Sequence, residues 1–194
     1  GRFLLVANHL PAAAADTVHV AAAISVIDTA ARRVVKTLRL PNGGNLVLGI
    51  AVSPDGRHAA VTHNLARFYV PTTQLERGWM NTAGLTLIDV ARQEIINTVL
   101  LDSVELGAAN PWAVAWTADG RILLVTHAGT HELSVIDFPA VLEKALDRQS
   151  GQEDGPVRGQ VPAIEEAQSA NCDDADQEDA RVAPYPPQRV HLSG

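Results

Sequence analysis

The sequence predicts an all-β fold made of repeated four-stranded antiparallel units. One short phrase, a hydroxyl residue followed by two apolar residues and Asp, occurs three times: Ser25–Asp28, Thr86–Asp89 and Ser134–Asp137. Two other phrases recur at a spacing of 64 residues, namely Ala51–Gly56 with Ala115–Gly120 and Val61–His63 with Val125–His127. The segments between them are short, rich in β-branched residues and bounded by Asp-Gly, which is typical of strands joined in hairpins. The repeat therefore indicates the fold.

The second unit shows the four strands most clearly. Its strands A to D are predicted at Val47–Ser53, His58–His63, Leu85–Asp89 and Ile95–Leu101. By this assignment the chain holds strands B, C and D of one unit, all four strands of a second, and strands A, B and C of a third. Strand D of the third unit, Arg189–Leu192, returns after a long insertion. Tandem units of this kind are the blades of a β-propeller, which closes with ~4–8 blades. We predict a partial β-propeller of about three blades, incomplete at both ends, and expect the sequence to be cut at both ends.

The sequence divides into three parts. Residues 1–138 hold the last part of one blade, one full blade and most of a third, and residues 188–194 hold the returning outer strand. Between them, residues 139–187 are expected to form a short helix and an acidic insertion. The helix follows from apolar residues at helical spacing from Phe138 to Leu146. Residues 151–183 contain 9 acids and 2 bases, a composition that suits a disordered or extended linker.

Composition excludes several functional classes. The formal charge of −7 lies in the acidic insertion, and the rest of the chain has equal numbers of acids and bases. A chain without a basic region has no footprint for nucleic acid or anionic lipid. No apolar run approaches the ~18–20 residues that cross a bilayer. A single cysteine leaves no internal disulfide, and no C-x-x-C-H haem motif occurs.

Strand alternation predicts where the connections lie. The A–B and C–D turns fall at one end of the sheets, and the B–C and D–A connections fall at the other. The second group contains the long connections: His9–Ala22, Pro41–Leu46, Asn64–Ala83 and Asp102–Pro111. Connections longer than ~12–15 residues tend to be functional or disordered, and loops held by a scaffold often carry binding residues. The sequence therefore predicts a binding face at this end.

The candidate partner-binding residues come from two of these connections. Arg, Tyr and Trp dominate the energetics of protein interfaces, and all three types lie close together in the connection Asn64–Ala83. Alternatively, the aromatic residues fold back and anchor the long connection. Asn110 and Trp112, at the start of the third strand A, belong to the same end. The predicted partner-binding residues are Arg67, Tyr69, Glu76, Arg77, Trp79, Asn110 and Trp112.

Three histidines accompany this surface. His63 and His127 end equivalent strands, and His131 follows four residues after His127. Imidazole is the commonest protein metal ligand. However, equivalent positions of adjacent blades lie well apart, and His127 and His131 lack the helical spacing of a zinc pair. We therefore favour structural hydrogen bonding to loop backbone over metal binding, and predict no metal site.

No catalytic residue is predicted, because the sequence has no nucleophile elbow, phosphate loop or metal-carboxylate cluster. The three Asp residues that close the repeated phrase, Asp28, Asp89 and Asp137, are expected to cap turns by accepting backbone N–H bonds. Trp116 is expected in the core between two blades, because its counterpart in the second unit is Val52.

The repeated phrases resemble a known repeat. The pattern V-x-V-S-P-D-G, then a strand ending V-T-N, then V-I-D-T, marks the YVTN-type β-propeller repeat. Here it stands as Ala51–Gly56, Val61–His63 and Val26–Thr29, and the resemblance covers about residues 3–138. The chain departs from the pattern where His63 and His127 replace the usual Asn, which Asn8 keeps.

A narrower resemblance is to a bacterial exported group whose propeller precedes a c-type cytochrome domain of the dihaem-peroxidase kind. It rests on Thr62-His63, Pro71–Thr82, Ala109–Trp112 and Thr126–Glu132. This resemblance implies a periplasmic or extracellular location. It also implies haem c in a region downstream of this sequence, with no cofactor in the chain itself.

Together these observations predict a non-catalytic β-propeller binding or scaffold module whose long connections face a protein partner or a covalently linked redox domain. One alternative is the propeller part of a c-type cytochrome or peroxidase-like oxidoreductase. A second is a lactonase-like propeller enzyme, which should carry carboxylates or His at the starts of several A strands. Those starts here supply amides and apolar groups. A third is a cell-surface adhesion module.

Overall fold

The computed structural model describes residues 1–14, 16–66, 81–102, 107–150 and 188–191. Within these residues the chain forms strands and one helix. They are β1 (Phe3–Ala7), β2 (Ala23–Asp28), β3 (Arg33–Arg39), β4 (Gly44–Val52), β5 (His58–Ala66), β6 (Asn81–Asp89), β7 (Glu94–Leu100), β8 (Pro111–Trp116), β9 (Ile122–His127), β10 (Glu132–Asp137), α1 (Phe138–Ser150) and β11 (Gln188–His191).

The strands form three antiparallel sheets whose members follow one another in chain order. The first sheet is β1-β2-β3, the second is β4-β5-β6-β7, and the third is β8-β9-β10-β11. These sheets are consecutive blades of a partial β-propeller, so the fold-class prediction is confirmed. The hairpin of β5 and β6 is longer than predicted, because the two strands stay paired as far as Ala66 and Asn81. β11 pairs with β10, and Arg189 lies opposite Ser134.

Neighbouring sheets pack face to face, and the central strands β5 and β6 of the second sheet are buried on both faces. On one side, Ala59, Val61 and Ile88 join a cluster that includes Ile24 and Val26 of the first sheet. On the other side, its alternate residues join a cluster that includes third-sheet residues; the members of this cluster are Ala60, Ala83, Leu85, Leu87, Leu101, Ala108, Leu123, Val125, Ile136, Phe138 and Val141. Since successive side chains of a strand point to opposite faces, a strand of the second sheet contributes alternate residues to the two clusters.

The helix extends the contact between the second and third sheets. Asp137 Oδ1 accepts the backbone N–H of Ala140 at 3.2 Å and caps the first turn. Phe138 then packs edge-on against Trp116, with ring centroids 4.6 Å apart, and lies 5.1 Å from the His58 ring. Trp116 also donates its indole N–H to the carbonyl of Ala51 in the second sheet at 3.2 Å. The predicted place of Trp116 between two blades is therefore confirmed.

Equivalent side chains hold equivalent turns. Ser53 donates its hydroxyl to Asp55, Asp55 accepts the N–H of Arg57, and Ser53 Oγ accepts the N–H of His58. Thr117 and Asp119 repeat these bonds in the third sheet. The hydroxyl bonds lower the pKa values of Asp55 and Asp119 below the usual carboxyl range.

The Asp residues of the repeated phrase cap the other turns at the end of the sheets where the Ser53 and Thr117 turns lie. Asp28 Oδ1 accepts the N–H groups of Ala30 and Ala31, both at 2.9 Å, and Asp89 Oδ1 accepts that of Arg92 at 2.8 Å. The backbone bond from Ala31 is the main cause of a lowered pKa at Asp28. With Asp137 at the helix, the capping prediction is confirmed at all three positions. Among the described residues, no helix is long and apolar enough to cross a membrane.

Replacing Phe138 tests the aromatic contact between the sheets. Phe138→Ala should lower the free energy of unfolding by about 3 kcal/mol, because burial is lost and a cavity remains beside Trp116. Urea denaturation followed by tryptophan fluorescence measures the change. Leu146→Ala on the same helix is the matched control, since Leu146 is 48% exposed and should cost well under half as much. Equal losses in the two variants would contradict the proposed packing.

Candidate functional site

The two ends of the sheets differ in the way that strand alternation predicts. Short turns and the start of α1 lie at one end, and the described parts of the longer connections meet at the other. At this second end Gly43 donates its N–H to Val20, Ala66 donates to Gly43, and Ala128 donates to Asn110, at 2.9, 2.9 and 3.0 Å. We call the residues 8–22, 40–46, 64–66, 81–83, 101–112 and 128–132, where described, the long-connection end.

Polar side chains hold the first connection of this end onto the second sheet. His9 Nδ1 lies 3.3 Å from the carbonyl oxygen of Val47. Asn42 Oδ1 accepts the N–H of Val20 at 2.9 Å, and its Nδ2 donates to Val18. Gly43 has φ of 85°, and a side chain there would collide with the backbone of Ala66. Each of these hydrogen bonds joins a side chain to a backbone group, and together they fix the connection to the sheets.

Asp102 organises the connection between the second and third sheets. The residue is buried, and its two carboxylate oxygens accept the backbone N–H groups of Ala83 and Ala108. It thereby joins strand β6 to the chain that leads into β8. No role was predicted for Asp102. Its position two residues after the apolar strand β7 is the local signal, and its partners are 19 and 6 residues away.

Two equivalent residues of this end have left-handed backbone conformations. Leu46 has φ of 50° and Asn110 has φ of 55°, a region that Asn tolerates and Leu rarely adopts. Both line a depression of about 230 Å³ together with Asn64, Asn81 and Ala83 of the second sheet and Ala108 and Ala109. Asn110 thus lies at the predicted surface, in a recess lined by three amide side chains between neighbouring sheets.

His63 lies inside the contact between sheets and away from the surface. Its side chain is fully buried, Nε2 is 2.7 Å from Thr86 Oγ1, and Nδ1 is 3.2 Å from the carbonyl oxygen of Asn64. The carbonyl requires the proton on Nδ1, so Nε2 accepts the Thr86 hydroxyl. Burial lowers the pKa of His63 to about 4, and the ring is neutral at pH 7.

An equivalent hydrogen bond joins the same two positions in all three sheets, although the donor differs. His127 Nε2 lies 2.8 Å from Ser134 Oγ, and Asn8 Nδ2 donates to Ser25 Oγ at 3.0 Å. In each sheet a side chain at the end of the second strand of the repeat reaches the hydroxyl that begins the repeated phrase. These bonds are structural, as predicted, but their partners differ from the predicted loop backbone. The common partner is a hydroxyl of the neighbouring strand, and the carbonyl that His63 also contacts belongs to Asn64, within β5.

A second depression of about 400 Å³ lies on the third sheet. It is lined by Trp112, Thr126, His127, Ala128, His131 and Glu132. Three of the predicted site residues therefore share one recess. Trp112 is 56% exposed, and His131 is exposed with φ of 55°.

The repeat explains the shape of this second depression. In the second sheet the counterpart of Thr126 is Thr62, whose hydroxyl accepts the N–H of Gly49 at 3.0 Å and lies 3.4 Å from the carbonyl oxygen of Trp112. Thr126 accepts the equivalent N–H, that of Ala113, at 3.1 Å. The depression on the third sheet therefore occupies the place that strand β8 occupies on the second sheet.

The remaining predicted site residues, Arg67, Tyr69, Glu76, Arg77 and Trp79, lie outside the described residues. His63 is buried in the contact between sheets, and His127 is buried but lines the second depression. Within the described parts of the chain, no group of three or more His, Cys, Asp or Glu side chains is placed to hold a metal ion.

Comparisons with known proteins support the fold. No protein-family model matches the chain. The chain is 29% identical over 131 residues to the hydrazine synthase subunit beta of Kuenenia stuttgartiensis, an alignment that covers 68% of this chain and 33% of that protein. The solved structure of Kuenenia stuttgartiensis hydrazine synthase aligns with a TM-score of 0.65 and 24% identity, over 75% of this chain and 40% of that chain. The Dos1 propeller aligns with a TM-score of 0.45 and 8% identity, over 69% of this chain and 31% of that one. The chain thus spans about a third of the length of its curated relative.

The burial of His63 predicts a specific loss of stability in acid. The unfolded chain binds a proton at His63 near its usual pKa of 6.5, whereas the folded chain binds it near pH 4. The unfolded state therefore holds more protons between these values, and stability falls as pH falls, by about 3 kcal/mol at pH 4. Urea denaturation at pH 7, 6, 5 and 4 measures the trend.

The matched variant is His63→Asn, which supplies the amide that Asn8 uses in the first sheet. It should be less stable than the original chain at pH 7, and the gap should narrow by about 3 kcal/mol towards pH 4 because the variant has no imidazole to charge. Parallel stability curves for the two proteins would show that His63 does not titrate as its burial requires.

Proposed function

We propose that this chain is the propeller part of a subunit in a larger protein assembly, and that it binds a partner protein through the long-connection end without catalysing a reaction itself. The observation that carries the proposal is the separation of roles between the two ends. Capping Asp residues and short turns occupy one end, whereas connections fixed by Asp102, Asn42 and His9 project from the other. Loops held on a rigid scaffold are well suited to recognition.

The exposed residues of the long-connection end suit a protein partner. Trp112 is more than half exposed beside His131, and an exposed Trp is typical of an interface anchor. Arg67, Tyr69, Arg77 and Trp79 belong to the connection between β5 and β6, which begins and ends at this same end. We propose that they extend the contact surface, with Glu76 in the same segment.

The curated relative supports an assembly. The hydrazine synthase subunit beta is, by its name, one subunit of an enzyme. By analogy, the partner proposed here is a further subunit or a covalently linked redox domain. The resemblance of the repeats to the YVTN-type group makes a c-type cytochrome domain our specific proposal for this partner, with haem c held outside this chain. An exported location follows from the same resemblance.

A second candidate is that the intact protein is an oxidoreductase in which this chain forms the scaffold. The name of the relative favours it, since it is a subunit of a synthase. The two candidates differ in whether the reaction needs this chain. If the chain is left out of the reconstituted assembly, turnover should be abolished in the second case. In the first case turnover should persist, and only the association of the remaining components should weaken.

Alanine substitutions at the long-connection end test the contact surface. Trp112→Ala, Arg77→Ala and Trp79→Ala should each weaken binding of the partner subunit by ~1–3 kcal/mol, as interface anchors do. Isothermal titration calorimetry of the full-length protein with the purified partner measures this loss. Arg121→Ala, at the opposite end and exposed, is the control and should bind as tightly as the original.

Thermal melts of the same variants separate contact from anchoring. A lowered melting temperature with unchanged affinity would mean that Trp79 only holds its own connection in place. Unchanged affinity in all three variants would end the proposal that this end binds the partner.

A further inference from the structure

The depression of about 230 Å³ between the second and third sheets has both polar and apolar walls. Asn64, Asn81 and Asn110 bring amide side chains to it, and Leu46 and three alanines supply the apolar part. Each amide carries two N–H donors and a carbonyl acceptor. No hydrogen bond joins any of the three side chains to another described residue. We call this depression the amide recess.

Strand alternation directs two of these side chains towards the third sheet. Asn64 is paired with Ala83, which belongs to the cluster shared with the third sheet, and Asn81 lies two residues before Ala83 on β6. Paired residues share a face, and so do residues two apart on a strand. Asn64 is only 9% exposed. Its amide is therefore buried against the recess without a partner among the described residues, a costly state unless a bound molecule supplies the hydrogen bonds.

The equivalent place between the first and second sheets is bridged by a longer side chain. Because His63 is the counterpart of Asn8, Asn64 is the counterpart of His9. The His9 ring reaches the carbonyl oxygen of Val47 in the next sheet at 3.3 Å. The shorter side chain of Asn64 makes no such bond to the third sheet. Both contacts lie between sheets that this chain supplies, so the recess follows from the residues at these positions.

The counterpart of Asn81 is also occupied between the first two sheets. Val20 takes its place there, five residues before the hydroxyl of the repeated phrase in both sheets. The N–H of Val20 is bonded to Asn42, and its carbonyl accepts the N–H of Gly43. The chain entering the second sheet therefore closes the space that stays open beside Asn81.

The walls of the recess restrict the class of ligand. Among the described residues no charged side chain lines it. The buried carboxylate of Asp102 bonds to the backbone of Ala83 and Ala108, which do line it, and negative charge behind the wall disfavours an anion. A divalent cation prefers carboxylate ligands. A wholly apolar ligand would leave the Asn64 amide buried and unpaired. A neutral ligand rich in hydrogen-bonding groups remains.

We propose that the amide recess binds a small neutral polyol with the size and chemistry of a monosaccharide. Each hydroxyl of a sugar donates and accepts, so neighbouring hydroxyls match the adjacent N–H and carbonyl of an Asn amide. The C–H face of the sugar ring then covers Leu46 and the alanines. The volume lies below the ~300–1,000 Å³ of pockets for drug-sized ligands, which suits a single ring. This inference goes beyond the partner contact proposed above and does not rest on it.

Titration of the isotope-labelled chain with sugars, followed by nuclear magnetic resonance, tests the recess. The probes are D-glucose, D-galactose and D-mannose. At least one of them should shift the side-chain NH₂ signals of Asn64, Asn81 and Asn110 in a saturable way. The NH₂ signals of Asn8 and Asn42, whose amides are bonded to protein, are the internal control and should not move.

Substitutions of the amides separate binding from a role in the fold. Asn64→Leu replaces the buried amide with an apolar side chain of similar size. The affinity for the sugar should fall about 10-fold, because a sugar hydroxyl loses its partner. Stability towards urea should hold or rise, since an unpartnered buried amide is removed. Asn97→Leu on β7, outside the recess, is the matched control and should change the affinity less than about 2-fold.

Asn110→Gly gives an independent variant, because glycine keeps the left-handed backbone at this position and removes the amide. It should also weaken sugar binding. If Asn64→Leu is strongly destabilised, the Asn64 amide serves the fold, and the proposal then stands or falls on Asn110→Gly.

Three outcomes would overturn the proposal. One is that none of the three sugars gives a saturable shift at the recess. Another is that Asn64→Leu and Asn97→Leu weaken binding equally. The third is a saturable shift with calcium chloride and none with the sugars, which would make the recess a cation site.

Discussion

The face-to-face contact between neighbouring sheets is the interaction on which the rest of the structure depends. A single sheet of this size could not bury enough apolar surface to be stable, and each sheet therefore covers the next. β6 shows the consequence, because it is buried continuously from Thr82 to Ile88. A strand buried on both faces does not alternate between apolar and polar residues, and this accounts for the nearly continuous apolar strands of the repeat.

Burial on both faces imposes a second requirement, since polar groups inside the contact need hydrogen-bond partners. The repeat meets it with an equivalent bond in each sheet, between Asn8, His63 or His127 and a hydroxyl of the neighbouring strand. Thr62 and Thr126 meet it differently, by accepting a backbone N–H from the inner strand. The hydroxyl residue of the repeated phrase and the Asn or His of the preceding strand are thus two halves of one structural bond.

The two ends of the sheets can differ because the strands supply most of the contact between sheets. One end keeps repeating the same Asp-capped turns, and its only elaboration among the described residues is α1, which seals the contact through Phe138. The other end carries connections of different lengths, and His9, Asn42 and Asp102 fix described parts of them. Similarity to a hydrazine synthase subunit concerns the scaffold, and the variable end is where proteins sharing this scaffold can differ in what they bind.

The sequence by itself determined the strands, the turns and the grouping into four-stranded units. Those features depend on local chemistry, such as the Asp-Gly turn at residues 55–56 and the capping carboxylates of Asp28 and Asp89. The residues that supply this chemistry recur in each repeat of the sequence. It also placed Trp116 between two sheets, because its counterpart in the repeat is apolar.

Only the tertiary structure decided which similar residues are buried and which are not. His63 lies in the core and His131 at the surface, although both were predicted to accompany the same binding face. Trp112 and Trp116 lie on one strand, but a bulge between Pro111 and Val114 interrupts the pairing, and only Trp116 reaches the core. The role of Asp102 was equally invisible. Each of these features depends on partners supplied by distant segments, and neither periodicity nor composition records which segments meet.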